Sequence, residues 1–398
     1  MKDIEKNIIM EEIANALSIS PGMFNYAKSR VKHIDQYLNN SMNVPLDVSF
    51  QGSFLLGTTV KPYEKDKNRN YDVDLIVRFK EDKNQTSPKE IKSGLGTCLK
   101  KSEYNKYLEE EGKRCWTLDY SDENIPEDFG FHIDLLPCVS ETNEKKKLIK
   151  PFRLNDEAIA ITKRKSKTPP DYVWESSNPL GYKIWFDEIN SKRYAGIIEK
   201  ERETIYKTNK DLFKTSNDVS NDYVRTPLQK VIQILKRHRD VMFTNPAITE
   251  FKPASIILTT IVTTIVNNSN ITYNNTYELL NHVLLEVESS KEKYKDASGR
   301  WEIINPADSN ENFADRWIET PRKSEEFFKW LKRSKSDLLD AFDGDIEDIK
   351  KSLKESLGLN DSQINSINAT AITTSKTAVV GSTTPKPYTR NERLDKIH

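Results

Sequence analysis

Only three cysteines stand in this chain of 398 residues, Cys98, Cys115 and Cys138. Their number is odd and no two form a CxxC pair, which argues against a disulfide framework and a cysteine-based zinc module and points to a reducing compartment. Net charge is equally scarce: 61 Lys and Arg balance 61 Asp and Glu, so nothing in the total marks a protein built to coat nucleic acid. Long apolar runs are missing too. The longest, residues 256–266, is interrupted by threonines and falls short of the roughly 20 residues a membrane-spanning helix needs. The opening MKDIEKNIIMEEIANAL has acids where an export signal would be basic and apolar. The expectation is a cytoplasmic protein with no membrane attachment.

What is present suits a two-lobed soluble chain. Charged residues make up 31% and apolar ones 36%, a balance that fits long surface helices, and the length exceeds what one hydrophobic core usually serves. Ile4, Ile8, Ile13 and Leu17 recur at helical spacing. A second helix opens with Ser20 as N-cap and Pro21 behind it, and carries the stripe Phe24, Ala27, Val31, Ile34 and Leu38. A short strand runs to Phe50 and breaks at Gly52-Ser53. After a charged loop comes a strand at 71–79, in which Val73, Leu75 and Val77 alternate, and a second apolar strand lies at 131–139. Between them residues 87–111 read as helix. From Thr226 the pattern is helical: Thr226 and Gln229 form a capping box around Pro227 and launch a helix through Asp240. Another starts at Thr320-Pro321 and carries Phe327, Leu331, Leu338 and Phe342, and a last one ends near Gly358. The predicted division is N-terminal helices over 1–40, an α+β lobe over 41–175, a helical lobe over 176–360 and a flexible polar tail over 361–398, whose single aromatic is Tyr388.

The densest chemistry lies in QGSFLLGTTVKPYEKDKNRNYDVDLIVRF, residues 51–79, and FHIDLLPCV, residues 131–139. Side chains two apart on a strand share a face, so Asp72 and Asp74 project together, and Asp134 can join them from an adjacent strand. Three converging carboxylates repel one another unless cations lie between them, and hard oxygen ligands suit two Mg²⁺ ions, or Mn²⁺. That set fits two-metal phosphoryl transfer. Gly52 and Ser53, after a strand and opening a helix, offer backbone N–H groups and a hydroxyl to phosphate oxygens. Alone, a Gly-Ser turn is usually only a turn, and a lone DxD is usually a solvated strand face. A Gly-Ser turn, a DxD about twenty residues later and a third Asp on a further strand have no structural need of one another.

With those motifs the chain resembles the bacterial CD-NTases, relatives of cyclic GMP-AMP synthase and oligoadenylate synthase. The likeness covers most of the chain: QGSF, YDVDL and HIDLLP are followed in the family's order by SNPLGYKIWF at 177–186, TPLQKVIQILKRHRD at 226–240, KPASIILTT at 252–260 and NPADSNENFADRW at 305–317. The resemblance implies a polymerase-β-like nucleotidyltransferase lobe of α+β class packed on a helical lobe. It implies that ATP and other nucleoside triphosphates bind between the lobes and are joined into a cyclic oligonucleotide messenger for antiphage (CBASS-type) defence. It places Gln51, Gly52 and Ser53 at the nucleotide, and Lys236 and Ser255 on the donor triphosphate from the far lobe. Without it, Lys236 reads as part of a solvated basic face with Arg237 and Arg239, and Ser255 as the cap of the next helix.

Other features bear less weight. Trp174, Tyr182 and Trp185 stand near the hinge, where an aromatic can stack on a purine, though core packing explains them equally well. Residues 141–167 hold nine Lys or Arg against four Asp or Glu, an excess that faces either triphosphates or plain solvent. His238 reads as structural or ion-paired, since no second ligand stands at metal spacing. The same metal site would serve an enzyme adding one nucleotide to a drug, a protein or an RNA end, whereas a non-catalytic sensor would be free to lose any of the three aspartates. The neutral charge leaves no nucleic-acid activator expected. A monomer is expected, with a regulatory protein partner left open. The final His398 lacks the small-residue ending of the branch of the family that is conjugated in ubiquitin-like fashion.

Overall fold

The computed structural model describes residues 1–62, 70–121 and 130–365. Most of the expected tail, residues 366–398 with Tyr388 and His398, and most of the charged loop after the Gly-Ser turn lie outside the described residues.

The chain opens with helices α1 (Asp3–Leu17) and α2 (Pro21–Ser41). Ser20 caps α2 by accepting a hydrogen bond from the Met23 amide, and the whole expected stripe from Phe24 to Leu38 is buried. The sheet strands and the elements among them follow: β1 (Leu46–Phe50), α3 (Gly52–Leu56), β2 (Asn70–Phe79), α4 (Pro88–Lys100), β3 (Trp116–Asp119), β4 (Gly130–Ser140), α5 (Asn143–Lys146), β5 (Ile159–Lys167) and β6 (Pro170–Ser177). Among the described residues these strands form one mixed sheet in the order β1-β2-β4-β5-β6, with β3 beside β4. β2 and β4 run parallel and the other pairings are antiparallel.

Helices take over from there: α6 (Pro179–Thr208), α7 (Pro227–Met242), α8 (Ser255–Asn268) and α9 (Thr276–Ser289), then a hairpin of β7 (Ile304–Asn305) and β8 (Asp308–Asn312), and α10 (Asp315–Glu319), α11 (Arg322–Leu338) and α12 (Ile346–Leu357). None of the described helices is long and apolar enough to cross a membrane. The capping box of Thr226 and Gln229 starts α7 as expected, and Gly358 ends α12 in the left-handed conformation at φ 59°.

Two main hydrophobic cores result. One joins α2, α4 and one face of the sheet; the other joins the helices from α6 onward. The N-terminal helices divide between them. α1 gives Ile9, Met10, Ile13 and Leu17 to the helical core, while α2 gives its stripe to the sheet core.

Local periodicity errs in three places. Ile4 is 65% exposed, because α1 buries the face of Ile9 and Ile13 instead. The helix expected over 87–111 stops at Lys100: Ser102 caps a 3-10 turn and the chain returns so that Leu108 bridges to Leu118. Phe342 lies beyond the end of α11 in a separate 3-10 turn, yet is buried in the same core.

Candidate active site

Strand register builds the site. The parallel pairing of β2 and β4 sets Asp72 opposite His132 and Asp74 opposite Asp134. The antiparallel pairing of β3 and β4 sets Asp119 opposite His132 and Thr117 opposite Asp134. Because alternate residues share a face, two rows of polar side chains cross three strands: Asp72–His132–Asp119, and Asp74–Asp134–Thr117. The Thr117 hydroxyl donates to Asp134 Oδ1 at 2.5 Å. His132 Nδ1 faces Asp72 Oδ1 at 3.5 Å, and its Nε2 faces Asp119 Oδ1 at 3.5 Å.

Crowded carboxylates in a part-buried place resist ionisation. Burial, and then the charges of Asp134 and Asp72, push the Asp74 carboxyl up to about 7 against the pull of Lys236. Asp134 is raised by burial, with the Asp72 charge adding and the Thr117 hydrogen bond opposing. The His132 imidazole is raised by its contact with Asp72, with Asp119 contributing.

The turn before β2 is shaped around Asp74. The Gln51 amide donates to the Asp74 carbonyl at 2.8 Å, which ties the turn to the strand. Gly52 has φ +61°, and a Cβ there would stand 2.3 Å from Asp74 Oδ2. Only glycine fits both the conformation and the space. Ser53 Oγ lies 3.1 Å from Thr59 Oγ1, holding the following loop against α3.

Across the cleft stands α7, whose residues from Pro227 to Arg239 are all buried. The reading of a solvated basic face is thereby overturned for Lys236. It is 7% exposed and donates to the Thr58 carbonyl at 3.0 Å. Burial, with the Arg239 charge adding, brings its ammonium down to about 8 while Asp240, Asp74 and Asp72 oppose. Ser255 is the first residue of α8, with Ala254 in the cap position, so the capping reading fails too. Its Oγ accepts from Arg239 Nη1 at 2.9 Å. Arg239 and Lys252 both bond Asp240 Oδ1 and, against the effect of burial, hold that carboxyl below its usual range.

These groups meet in one cleft of about 730 Å³, lined among others by Gly52, Ser53, Asp72, Asp74, Lys236 and Ser255. That volume is in the range of ligand pockets. Asp134 does not line it but stands one strand behind Asp74, and Gln51 adjoins it as the cap of α3.

For the three aromatics near the hinge the core reading holds. Trp174 packs on the sheet core, Tyr182 is buried with its hydroxyl 3.0 Å from Thr260 Oγ1, and Trp185 rests on Tyr182 with centroids 5.2 Å apart. Each completes a core, and none lines the cleft, whose aromatic residues are Tyr71 and Phe243. The basic stretch 141–167 contributes nothing to the lining either; Arg164 pairs with Glu111, Lys163 with Glu175 and Arg153 with Glu188. His238 accepts from the Trp330 indole at 3.0 Å, and its Nε2 faces Asp337 at 3.1 Å, a structural role.

Sequence reasoning gave no site role to Thr117, His132, Asp240 and Lys252, and read Arg239 only as part of the solvated basic face. His132 carries a signal, since it has the same strand parity as Asp134, and Arg239 lies one helical turn beyond Lys236. Thr117 carries none, because only the pairing of β3 brings it to the site.

Residues 47–137 match the family model described as "Cyclic GMP-AMP synthase DncV-like, nucleotidyltransferase domain". A c-di-GMP synthase of Roseivirga ehrenbergii is 26% identical over 296 residues, which span 72% of this chain and 65% of that relative's length. Among solved structures, the CD-NTase CdnG of Bradyrhizobium diazoefficiens in complex with GTP superposes with a TM-score of 0.67 at 17% identity, covering 92% of this chain and 98% of its own. Vibrio cholerae DncV in its GTP-bound form gives 0.53 at 16% identity, over 91% and 88% of the two chains. These structures share the mixed sheet and helical second lobe.

Proposed function

We propose, from the match of residues 47–137 to a DncV-like nucleotidyltransferase domain, that the chain joins ribonucleoside triphosphates, ATP among them, into a cyclic oligonucleotide and releases pyrophosphate. The messenger would serve antiphage defence of the CBASS type. The observation that carries this reading is the opposition of two sets of groups across one cleft, Asp72 and Asp74 on the sheet and Lys236 and Ser255 on the helices. A likeness to a c-di-GMP synthase supports a dinucleotide product.

A divalent metal pair suits the site on the donor chemistry and on space: three carboxylates share one sheet face, and Gly52 leaves open the volume against Asp74 Oδ2 that a side chain would fill. Asp72, Asp74 and Asp134 would hold Mg²⁺ or Mn²⁺, which supplies positive charge at the α-phosphate and lowers the pKa of the attacking hydroxyl. Thr117 orients Asp134, and His132 orients Asp72. From the other wall, Lys236 and Ser255 take the donor's phosphate oxygens, Lys236 exchanging the Thr58 carbonyl for a charged acceptor. Gly52 and Ser53 bring backbone amides and a hydroxyl to the same triphosphate. Arg239, held by Asp240, fixes the Ser255 hydroxyl.

Purified protein incubated with all four labelled ribonucleoside triphosphates and Mg²⁺ should give a phosphatase-resistant product whose mass is that of a closed ring. A single nucleotide attached to an added acceptor, or no consumption of any triphosphate, would overturn the synthase reading.

A further inference from the structure

Beside the aspartates, Glu109, Asp119 and His132 each offer one ligand atom within 4.8 Å of the other two. They reach that spot from separate segments. Glu109 precedes β3 and is held by the hydrogen bond its backbone N–H donates to the Thr117 carbonyl at 3.0 Å, Asp119 ends β3, and His132 lies opposite Asp119 on β4. This differs from a run of acids on a solvated face: an imidazole stands beside two carboxylates and is oriented from behind by a third, Asp72, 3.5 Å from its Nδ1. Its Nε2 stands 3.5 Å from Asp119 Oδ1. Two ligands about 2.1 Å from a tetrahedral ion lie about 3.4 Å apart, so this pair already has the separation such an ion requires. Asn70 Nδ2, 2.9 Å from Nε2, makes the contact that an ion would replace.

We propose that Glu109, Asp119 and His132 form a third cation site, for Zn²⁺ or Mn²⁺, separate from the ions assigned to the three aspartates. Imidazole with two carboxylates suits these ions better than Mg²⁺, which takes oxygen ligands and keeps its waters. Glu109 is exposed, which leaves the site open to water and to metal entry. An ion on Nε2 puts the imidazole proton on Nδ1, where it donates to Asp72. Occupancy of this site therefore orients a carboxylate of the cleft without touching the nucleotide.

The test is a binding measurement, independent of whether the chain makes a cyclic product. The full chain is stripped of metal with a chelator and titrated with Zn²⁺ by calorimetry; Co²⁺ reports ligand geometry through its visible absorption. In an Asp74→Asn/Asp134→Asn background, which weakens the cleft ions and spares Asp72, one Zn²⁺ should still bind. Adding Glu109→Gln and Asp119→Asn should remove it, with affinity falling roughly a hundredfold or more. Glu109→Gln alone, at an exposed side chain that folding does not need, should weaken it about tenfold. The proposal is overturned if the Asp74→Asn/Asp134→Asn chain binds no Zn²⁺, or if the Glu109 and Asp119 changes leave its binding as it was.

Discussion

Replacing Asp72 and Asp74 by Asn removes two carboxylates from the sheet face they share with Asp134, and at Asp74 burial and the neighbouring charges already disfavour ionisation. Product formation should fall to background while circular dichroism stays native and the melting temperature holds or rises; near wild-type turnover would remove the metal site from these residues. The raised Asp74 carboxyl also sets a direction with pH. Its folded value of about 7 lies above the ordinary aspartate value of 3.8, so the native state binds the proton more tightly. That contribution to stability is complete below about pH 4 and is lost as pH rises through 7. Metal-free wild type should therefore lose melting temperature between pH 4 and 8 more steeply than Asp74→Asn, and parallel curves would show that Asp74 is not held protonated.

The third aspartate permits a finer separation. Asp134 stands behind the cleft lining and is oriented by Thr117. Asp134→Ala should keep measurable Mg²⁺-ATP affinity and lose on the order of 10²–10⁴ in rate. Calorimetry beside a product assay checks this; affinity falling in step with activity would place Asp134 in donor binding or in the fold. Thr117→Val keeps the shape and deletes one hydrogen bond. It should raise the Mg²⁺ concentration for half-maximal activity about 10–100-fold.

At the scale of elements, α3 and α7 carry opposite walls of the cleft. Gly52→Ala must place a methyl in the Asp74 carboxylate at positive φ, and left-handed backbone alone costs about 1–2 kcal/mol for an L-residue. Activity should be lost with only a small drop in melting temperature. Lys236 is buried and donates to the Thr58 carbonyl, so Lys236→Met, which keeps the buried stem, is a cleaner probe than alanine. A charged hydrogen bond is worth about 1.5–3 kcal/mol, and KM for the triphosphate should rise about ten- to a hundredfold. An unchanged KM would make the residue structural. The starts of α2 and α7 were legible in the sequence because capping is local: Ser20 and Thr226 need only their own next turns. The aspartate pair was legible because strand parity is local as well. Lys236 was not legible from its own helix, since α7 buries polar and apolar residues alike and shows no solvated side for periodicity to find. Trp174, Tyr182 and Trp185 stayed open between a base and a core for a related reason. An aromatic in a linking segment looks the same whether it faces a ligand or a core, and only tertiary packing decides.

For the whole molecule, the cleft lies between the sheet core and the helical core, so a ligand that contacts both walls stabilises their joint arrangement. At about a hundred times its dissociation constant a ligand adds about 2.7 kcal/mol, and Mg²⁺-ATP should raise the melting temperature by several degrees. The shift should shrink in Lys236→Met, which loses the far wall's grip; an equal shift would place the nucleotide on the sheet side alone.

The division of the first two helices has a further consequence, for the order in which the chain takes shape. Lys230 of α7 donates to Glu11 of α1 at 2.6 Å across 219 positions of sequence, and α1 fills the helical core with Ile9, Met10 and Ile13. During synthesis α2 can dock as soon as the first strands emerge, but α1, made before it, has no surface to cover until α7 and α9 exist. The segment translated earliest is thus consolidated late, and it closes a loop that runs through both cores. A nascent chain halted before residue 226 should hold residues 3–17 open to protease while the α2 segment is already protected, and release of the full chain should close that window.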